Sequence, residues 1–375
     1  MKFPFPLSLS LSLLLSLSLF SQSETASTTG YATAAQQLLN AAVEEGDCAG
    51  IAGGFSVDGE IWSGAAGLRD LEQERLFSPT THTRIASIAK PMTAVAVMQL
   101  VEKGKIDLDA PLQTYLPEFP EKEEGTLTVR QLLQHASGIP AYAKLKEQEN
   151  TKHYPDLKAA LAIFQDRDLL SIPGAEFNYT SYGYVVLGRV IEEVSGLSYE
   201  EYLRKNIWMP AGMEQTGVEV YQSDRPEKAR IYYRKKAGKI KTARQTNLSD
   251  RIPGGGLYST AEDLLKFGEA VINNQLISKA SLQEMMQDSG LKKEGNPYGM
   301  GWYLYGKNPK YGEVIGHTGG QTGCSAMFML LPEVKTVIVA LSNTSGAMQR
   351  VSNVAVGLFP LAEQAGRELL SHGIR

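Results

Sequence analysis

Pro91 is the residue that most constrains the local structure of this chain. It lies in RIASIAKPMTA, residues 84–94, and the run that follows it, VAVMQLVEKG, is typical of a helix. Proline is tolerated in the first turn of a helix, but in the interior it costs about 3 kcal/mol. The helix must therefore begin close to Ser87. Because Lys90 follows Ser87 by three residues, we expect both side chains on one face of that helix start.

The pair of Ser87 and Lys90 suggests a nucleophile and its base. A serine hydroxyl is a weak nucleophile and needs a base beside it. At a helix start the backbone N–H groups are free and the dipole end is positive, so the Ser87 N–H can help bind an oxyanion. The same field favours neutral Lys90, which alone can accept a proton. Since S-x-x-K spacing is also common on solvated helix surfaces, this motif alone leaves the structural interpretation open.

Composition and spacing exclude several functions. The chain of 375 residues has a net charge of −4, which argues against nucleic acid as a dominant partner because phosphate binding needs a basic surface. No two of its five histidines have metal-ligand spacing on one helix, and Cys48 and Cys324 lack the clustered spacing of a zinc site. We therefore expect neither a metal nor another cofactor. Whether the two cysteines pair stays open, since export would permit a disulfide.

The N-terminal residues predict export. Residues 1–23 carry one lysine before an apolar run of Leu, Ser and Phe, which is the layout of a secretory signal peptide. We expect a linker at 24–34 and a periplasmic or secreted mature protein without a stable membrane span. The alternative is an uncleaved signal that anchors the chain, although the serine-interrupted run is short for a span. The oligomeric state stays open.

Apolar patterning predicts an α+β fold. AGIAGGFSVDGEIWSGAAG predicts two strands around a turn at Asp58-Gly59, and three late apolar segments predict further strands: GMGWYLYG, CSAMFMLLP and TVIVALSN. Helical spacing occurs at both ends and dominates the middle of the chain. We expect an antiparallel five-stranded sheet flanked by helices, in one domain at 35–371. A mainly helical subdomain would be inserted at about 115–250, and the junction of two such parts is a common position for a pocket.

Two further segments carry candidate functional residues. FNYTSYGYVVLG places Tyr179 in a polar loop before a helix, where it is either a core aromatic or a phenol that acts as a general acid or base. GHTGGQTGCSAMFMLLPE carries His317-Thr318-Gly319-Gly320 towards a strand. Such a glycine-rich edge leaves room for a substrate to pair with backbone groups. The alternative for the second segment is a plain turn.

Together, the three segments resemble the serine beta-lactamase and penicillin-binding family. The resemblance is to the class C-like branch, in which the second motif is Y-x-N and the third can be H-T-G. It extends from Ala49 to about Asn343, and LTVRQLLQHASGIP, PGGGLYSTAEDLLKF and YGMGWYL look like family landmarks. The branch includes beta-lactamases, D-alanyl-D-alanine carboxypeptidases, esterases and a beta-lactamase-like serine protease. The resemblance implies a beta-lactamase/transpeptidase-like fold.

The resemblance also implies a role for each matching residue. Ser87 would be the acylated nucleophile, Lys90 would share its proton, and Tyr179 would relay a proton to the leaving group. The N–H groups of Ser87 and Gly320 would form the oxyanion hole. The remaining matching positions would bind substrate: His317, Thr318, Gly319 and Ser181.

Two departures from the family pattern weaken the case for an efficient beta-lactamase. Ser181 stands where Y-x-N has asparagine, which usually helps hold the substrate amide. His317 stands where many relatives have lysine facing the substrate carboxylate, and histidine is neutral or partly charged near pH 7.

An esterase or peptidase that acts on a small molecule or peptide through a Ser87 acyl-enzyme is therefore the leading hypothesis. The first alternative is a true class C-like beta-lactamase or a D-Ala-D-Ala carboxypeptidase. The second alternative is a penicillin-binding or assembly protein without turnover.

Overall fold

The computed structural model describes residues 29–235, 238–291 and 297–371. The predicted signal peptide at 1–23 lies outside these ranges, whereas residues 29–34, expected as linker, form the first turns of a helix. The α-helices are α1 (Thr29–Glu44), α2 (Ala89–Glu102), α3 (Val129–Leu133), α4 (Leu145–Gln148), α5 (Leu157–Leu161), α6 (Ser181–Ser195), α7 (Tyr199–Leu203), α8 (Ile252–Gly255), α9 (Ala261–Ile272), α10 (Lys279–Met285) and α11 (Met348–Ser371). A 3-10 helix at Ala86–Ile88 directly precedes α2.

The strands form one large sheet and two small ones. They are β1 (Gly50–Val57), β2 (Glu60–Asp70), β3 (Arg75–Leu76), β4 (Thr83–Arg84), β5 (Gly217–Val218), β6 (Tyr232–Arg234), β7 (Ile240–Thr242), β8 (Leu257–Ser259), β9 (Tyr303–Asn308), β10 (Gly312–Gln321), β11 (Cys324–Leu331), β12 (Thr336–Ser342) and β13 (Thr344–Ser345). The large sheet has the order β3-β2-β1-β12-β11-β10-β9, and all its pairs are antiparallel.

The predicted α+β class and antiparallel sheet are confirmed, but the expected count of five strands is wrong. The sheet has seven strands, because β3 and β10 join the five that patterning predicts. β3 has two residues and is too short to show a pattern. β10, GEVIGHTGGQ, is rich in glycine, which is depleted in strands.

The β1–β2 hairpin joins both ends of the chain in one sheet. Its turn is at Asp58-Gly59 as predicted, and both residues have positive φ, of 48° and 96°. On its other edge β1 pairs with β12, from Ile51 opposite Ser342 to Val57 opposite Thr336. The sheet is therefore assembled from both ends of the sequence, which is the arrangement that the order of the elements predicts.

Side chains alternate between the two faces of the sheet and create two cores. Ile338 and Ala340 of β12 join the core under α1 and α11, whereas Val337 and Val339 join the larger core with α2, α6 and α9. Cys48 lies in the first core and Cys324 in the second, and both thiols are free. The pairing that the sequence left open is therefore not made.

The middle of the chain supplies helices α3 to α8 and strands β5 to β8, which form two small sheets, β4-β8-β5 and β13-β6-β7, with strands from either end of the chain. Helix α6 begins with an N-cap, because Thr180 Oγ1 accepts from the Tyr182 N–H at 3.1 Å. It packs against α2, α3, α5 and α8. In the ranges that the structure describes, no helix is both long and apolar enough to cross a bilayer.

Candidate active site

Ser87 lies in the 3-10 helix, two residues before α2 begins. Pro91 is the third residue of α2, so the predicted helix start is confirmed. Ala86 has a φ of 48°, a conformation that is strained for a residue with a Cβ. The strained residue therefore directly precedes the candidate nucleophile, and Ser87 itself remains partly exposed.

Strand β10 approaches the 3-10 helix very closely. A Cβ atom on Gly319 would lie 2.4 Å from the carbonyl oxygen of Ile85, which is too close for any side chain. The Ile85 N–H donates to Leu257 O at 3.2 Å, which ties the same segment to β8. The segment before Ser87 is thus held between β8 and β10.

Lys90 is fully buried, with 0% of its surface exposed. Its Nζ lies 3.0 Å from Ser87 Oγ and 3.2 Å from Ser181 Oγ, and it donates to Gly254 O at 2.7 Å. Burial, with a smaller contribution from the charge of Arg251, lowers the pKa of Lys90 well below its usual value. A lowered pKa favours the neutral amine, whose lone pair can accept the Ser87 proton.

Helix α8 brings a backbone acceptor to Lys90. A Cβ on Gly254 would lie 2.9 Å from Ser181 Cβ, so glycine is needed for this approach. Thr93 Oγ1 donates to Pro253 O at 2.7 Å and fixes α8 against α2. The landmark PGGG thus serves to place a carbonyl beside the lysine.

Tyr179 lies just before α6, with its ring centroid 4.7 Å from Lys90 Nζ. Burial raises the pKa of Tyr179 well above 10, against the opposing effect of a hydrogen bond with Ser87. The phenol is therefore protonated near pH 7. The two opposite pKa shifts make Lys90 the better proton acceptor of the two groups and Tyr179 the better proton donor.

His317 is buried and forms two hydrogen bonds that fix its tautomer. Nδ1 lies 2.6 Å from Thr318 O, which can only accept, so Nδ1 carries the proton and donates. Nε2 is therefore unprotonated and accepts from Tyr298 OH at 3.1 Å. Burial, with the nearby charge of Lys90, lowers the pKa of His317 to about 3. The sequence left His317 either neutral or partly charged near pH 7, and burial favours the neutral form.

The second half of β10 has one free edge. β9 pairs with β10 from Gly312 to Gly316, whereas β11 pairs with it as far as Gln321. Residues 317–321 therefore present backbone groups that β9 does not use, as expected for a segment that accepts a substrate. His317 and Gly319 face the 3-10 helix, and strand alternation directs Thr318 and Gly320 to the opposite face.

The structure brings together most of the candidate residues and adds others. Ser87, Lys90, Ser181 and Tyr179 are in contact, and Ser181 contributes its hydroxyl to Lys90. The sequence reasoning assigned no role to three residues or groups that touch this cluster: His135, Tyr298 and the carbonyl of Gly254. His135 and Tyr298 lie within or next to the landmarks LTVRQLLQHASGIP and YGMGWYL, which were the available signals. Within the described ranges, no group of three or more His, Cys, Asp or Glu residues is placed to hold a metal ion.

Comparisons with known proteins identify the family of the chain. A protein-family model described as Beta-lactamase matches residues 35–358. Among curated proteins, the mitochondrial serine beta-lactamase-like protein LACTB of Homo sapiens is 31% identical over 393 residues, covering 80% of this chain and 71% of the relative.

Two solved structures are similar to this chain in fold and sequence. The octameric penicillin-binding protein homologue from Pyrococcus abyssi is 28% identical with a TM-score of 0.74, covering 88% of this chain and 77% of that one. A D-stereospecific amidohydrolase from Streptomyces sp. is 28% identical with a TM-score of 0.72, covering 86% of this chain and 98% of that one.

Proposed function

Because the chain belongs to the beta-lactamase family, whose members include serine hydrolases, we propose that it cleaves an ester or amide bond through an acyl-enzyme on Ser87. One observation carries the proposal: a fully buried lysine with a lowered pKa has its Nζ 3.0 Å from the serine Oγ. A solvated helix surface, which is the structural alternative for S-x-x-K, would leave this lysine exposed and charged.

Acylation begins with proton transfer from Ser87 Oγ to Lys90 Nζ. The Oγ forms a bond to the substrate carbonyl carbon, and the resulting oxyanion accepts hydrogen bonds from the N–H groups of Ser87 and Gly320. The bond to the leaving group then breaks, and the leaving group takes the Tyr179 phenol proton. The Lys90 ammonium, whose Nζ lies 4.7 Å from the centroid of the Tyr179 ring, then returns its proton to the phenolate, which restores both groups. Water then attacks the ester on Ser87 by the same route in reverse.

Two features support an ester or peptide substrate over a beta-lactam. Neutral His317 offers no cation to a substrate carboxylate. Both of its ring nitrogens are already hydrogen-bonded, Nε2 with Tyr298 OH and Nδ1 with Thr318 O. Ser181, at the position of the Y-x-N asparagine, directs its hydroxyl to Lys90 at 3.2 Å. A substrate without an essential carboxylate, either a small ester or a peptide amide, therefore suits the site best.

A panel of three substrates tests the proposal. Wild type and Ser87→Ala are compared on p-nitrophenyl butyrate, a D-Ala-D-Ala peptide and nitrocefin. We expect ester or amide turnover that Ser87→Ala removes, with nitrocefin turned over slowly or not at all. Fast nitrocefin hydrolysis would favour the beta-lactamase alternative, and ester or peptide turnover that survives in Ser87→Ala would refute the proposal.

We also propose that the mature protein is periplasmic or secreted, with residues 1–23 as its signal peptide. The apolar run after Lys2 supports this. Intact mass of the protein recovered from the producing cells provides the test, since cleavage removes the first residues. A full-length chain in the membrane fraction would instead support the uncleaved anchor.

A further inference from the structure

His135 lies in a turn after α3 and is fully buried. Its φ is 57°, so a residue with a Cβ occupies a conformation that favours glycine. Such strain persists only where the surroundings hold it in place, and it is common near functional sites. The contacts of His135 give a reason for its position.

His135 contacts three consecutive residues around the candidate proton donor. Its backbone carbonyl accepts from the Asn178 N–H at 2.7 Å, and its Nδ1 accepts from the Thr180 N–H at 3.2 Å. Between them, the imidazole ring packs against the Tyr179 ring, with 4.2 Å between centroids and an angle of 41°. The backbone on both sides of Tyr179 and its ring are thus held by one residue.

The hydrogen bond at Nδ1 fixes the tautomer of His135. Because Nδ1 accepts from Thr180, the proton of the neutral ring is on Nε2, and protonating Nδ1 would break this bond. In the described part of the chain, buried Nε2 has no hydrogen-bond partner. An orphaned buried donor is unfavourable, and a simple core aromatic would avoid it. The acceptor at Nδ1 is therefore the feature that distinguishes histidine from phenylalanine at this position.

We propose that His135 is a positioning residue that sets the orientation of the Tyr179 phenol through the hydrogen bond that its Nδ1 accepts from the Thr180 N–H. The inference rests on the proposed function, in which Tyr179 donates to the leaving group. Tyr179 is not part of a helix, since α6 begins at Ser181, so the main chain alone does not fix it. A displacement of about 1 Å in such a group can lower a rate by about 100-fold.

The test compares His135→Asn with His135→Gly. Both variants keep the carbonyl that accepts from Asn178, both lack the ring, and both residues tolerate positive φ. Asn Oδ1 takes the place of His Nδ1 and can accept from Thr180, whereas glycine has no acceptor. The pair therefore isolates the Nδ1 hydrogen bond.

The first readout is independent of catalysis. Each protein is labelled with 3-fluorotyrosine, and the ¹⁹F NMR signal of Tyr179 is assigned by its loss in Tyr179→Phe. Both variants lose the ring-current effect of the His135 imidazole on the Tyr179 signal. A difference between their ¹⁹F signals therefore reports the presence or absence of the acceptor for the Thr180 N–H. We expect one sharp signal in His135→Asn and a broadened or split signal in His135→Gly. Identical signals in the two folded variants would overturn the proposal, whether or not the chain hydrolyses esters.

The second readout is the hydrolysis of p-nitrophenyl butyrate. We expect His135→Gly to lower kcat by about 10-fold or more with little change in KM, and His135→Asn to recover most of it. In a Tyr179→Phe background, His135→Gly should lower the rate by less than about threefold, because His135 acts through Tyr179. Additive effects in that background would contradict the positioning role. If the ester is hydrolysed independently of Ser87, the proposed function fails, and the NMR result alone decides on His135.

Discussion

The Nζ atom of Lys90 lies 3.0 Å from the Oγ atom of Ser87, although the serine belongs to a 3-10 helix and the lysine to α2. The close contact depends on burial of the lysine between Ser181 Oγ and Gly254 O. Because burial lowers the pKa of Lys90, the environment that binds the amine also makes it a base. The proton transfer that we propose as the start of acylation therefore depends on this environment.

The pH dependence of kcat/KM should reflect these pKa values. Activity needs neutral Lys90, so it is lost as the pH falls through the lowered pKa of this lysine. It also needs protonated Tyr179, whose raised pKa delays any alkaline loss beyond pH 10. We expect the acid-side loss to occur well below the pH at which an ordinary lysine titrates, and no step from His317 near pH 6.5, since the pKa of His317 is about 3. A rate that rises up to about pH 10.4, the value of an ordinary lysine, would contradict this account.

Replacing Lys90 should stabilise the fold while it removes activity. In the unfolded chain this lysine is charged below about pH 10.4, whereas in the folded chain burial lowers its pKa well below that of an ordinary lysine. The unfolded state therefore binds more protons, so Lys90 destabilises the fold increasingly as the pH falls from 10.4 towards its folded pKa.

We expect Lys90→Met to raise the free energy of unfolding by about 1 kcal/mol or more, which corresponds to a Tm increase of a few degrees. The increase should be larger at pH 6 than at pH 9. Thermal denaturation at both pH values measures the effect, with Lys105→Met as a control because Lys105 is exposed. A Tm increase that is equal in the two variants, or that grows with pH, would count against a neutral Lys90.

Two neighbouring glycines of β10 should respond differently to alanine. In Gly319→Ala the new Cβ would lie 2.4 Å from Ile85 O and would displace the segment that carries Ser87. In Gly320→Ala the Cβ would lie 3.5 Å from the flexible end of Met348, and the backbone N–H is retained.

We expect Gly319→Ala to lower kcat by about 100-fold and Gly320→Ala by less than about 10-fold. Kinetics of ester hydrolysis on folded protein distinguish them. Equal losses would indicate that the contact between β10 and Ile85 does not set the position of Ser87.

Much of the fold follows from local sequence signals. The hairpin at Asp58-Gly59 and the helix start at Pro91 were predicted because each depends on residues adjacent in sequence. β10 was not predicted as a strand, since its glycines lower strand propensity and only its neighbours β9 and β11 define it.

The part of the candidate site that was predicted also depends on residues that are close in sequence. Ser87 and Lys90 are three residues apart, so helical spacing alone placed them together. The tautomer of His135 depends on Thr180, which lies 45 residues further along the chain, and the hydrogen bond at His317 Nε2 depends on Tyr298. Spacing does not show such contacts, and it therefore left open whether His317 is neutral or partly charged near pH 7.

Covalent labelling of Ser87 tests the central claim most directly. Wild type, Ser87→Ala and the control Ser195→Ala are treated with a fluorophosphonate probe, and the labelled peptide is identified by mass spectrometry. Ser195 lies at the far end of α6 from Tyr179. We expect one adduct, on Ser87, in wild type and in Ser195→Ala, and none in Ser87→Ala. Labelling that persists in Ser87→Ala, or an adduct on another residue, would contradict the assignment of Ser87 as the nucleophile.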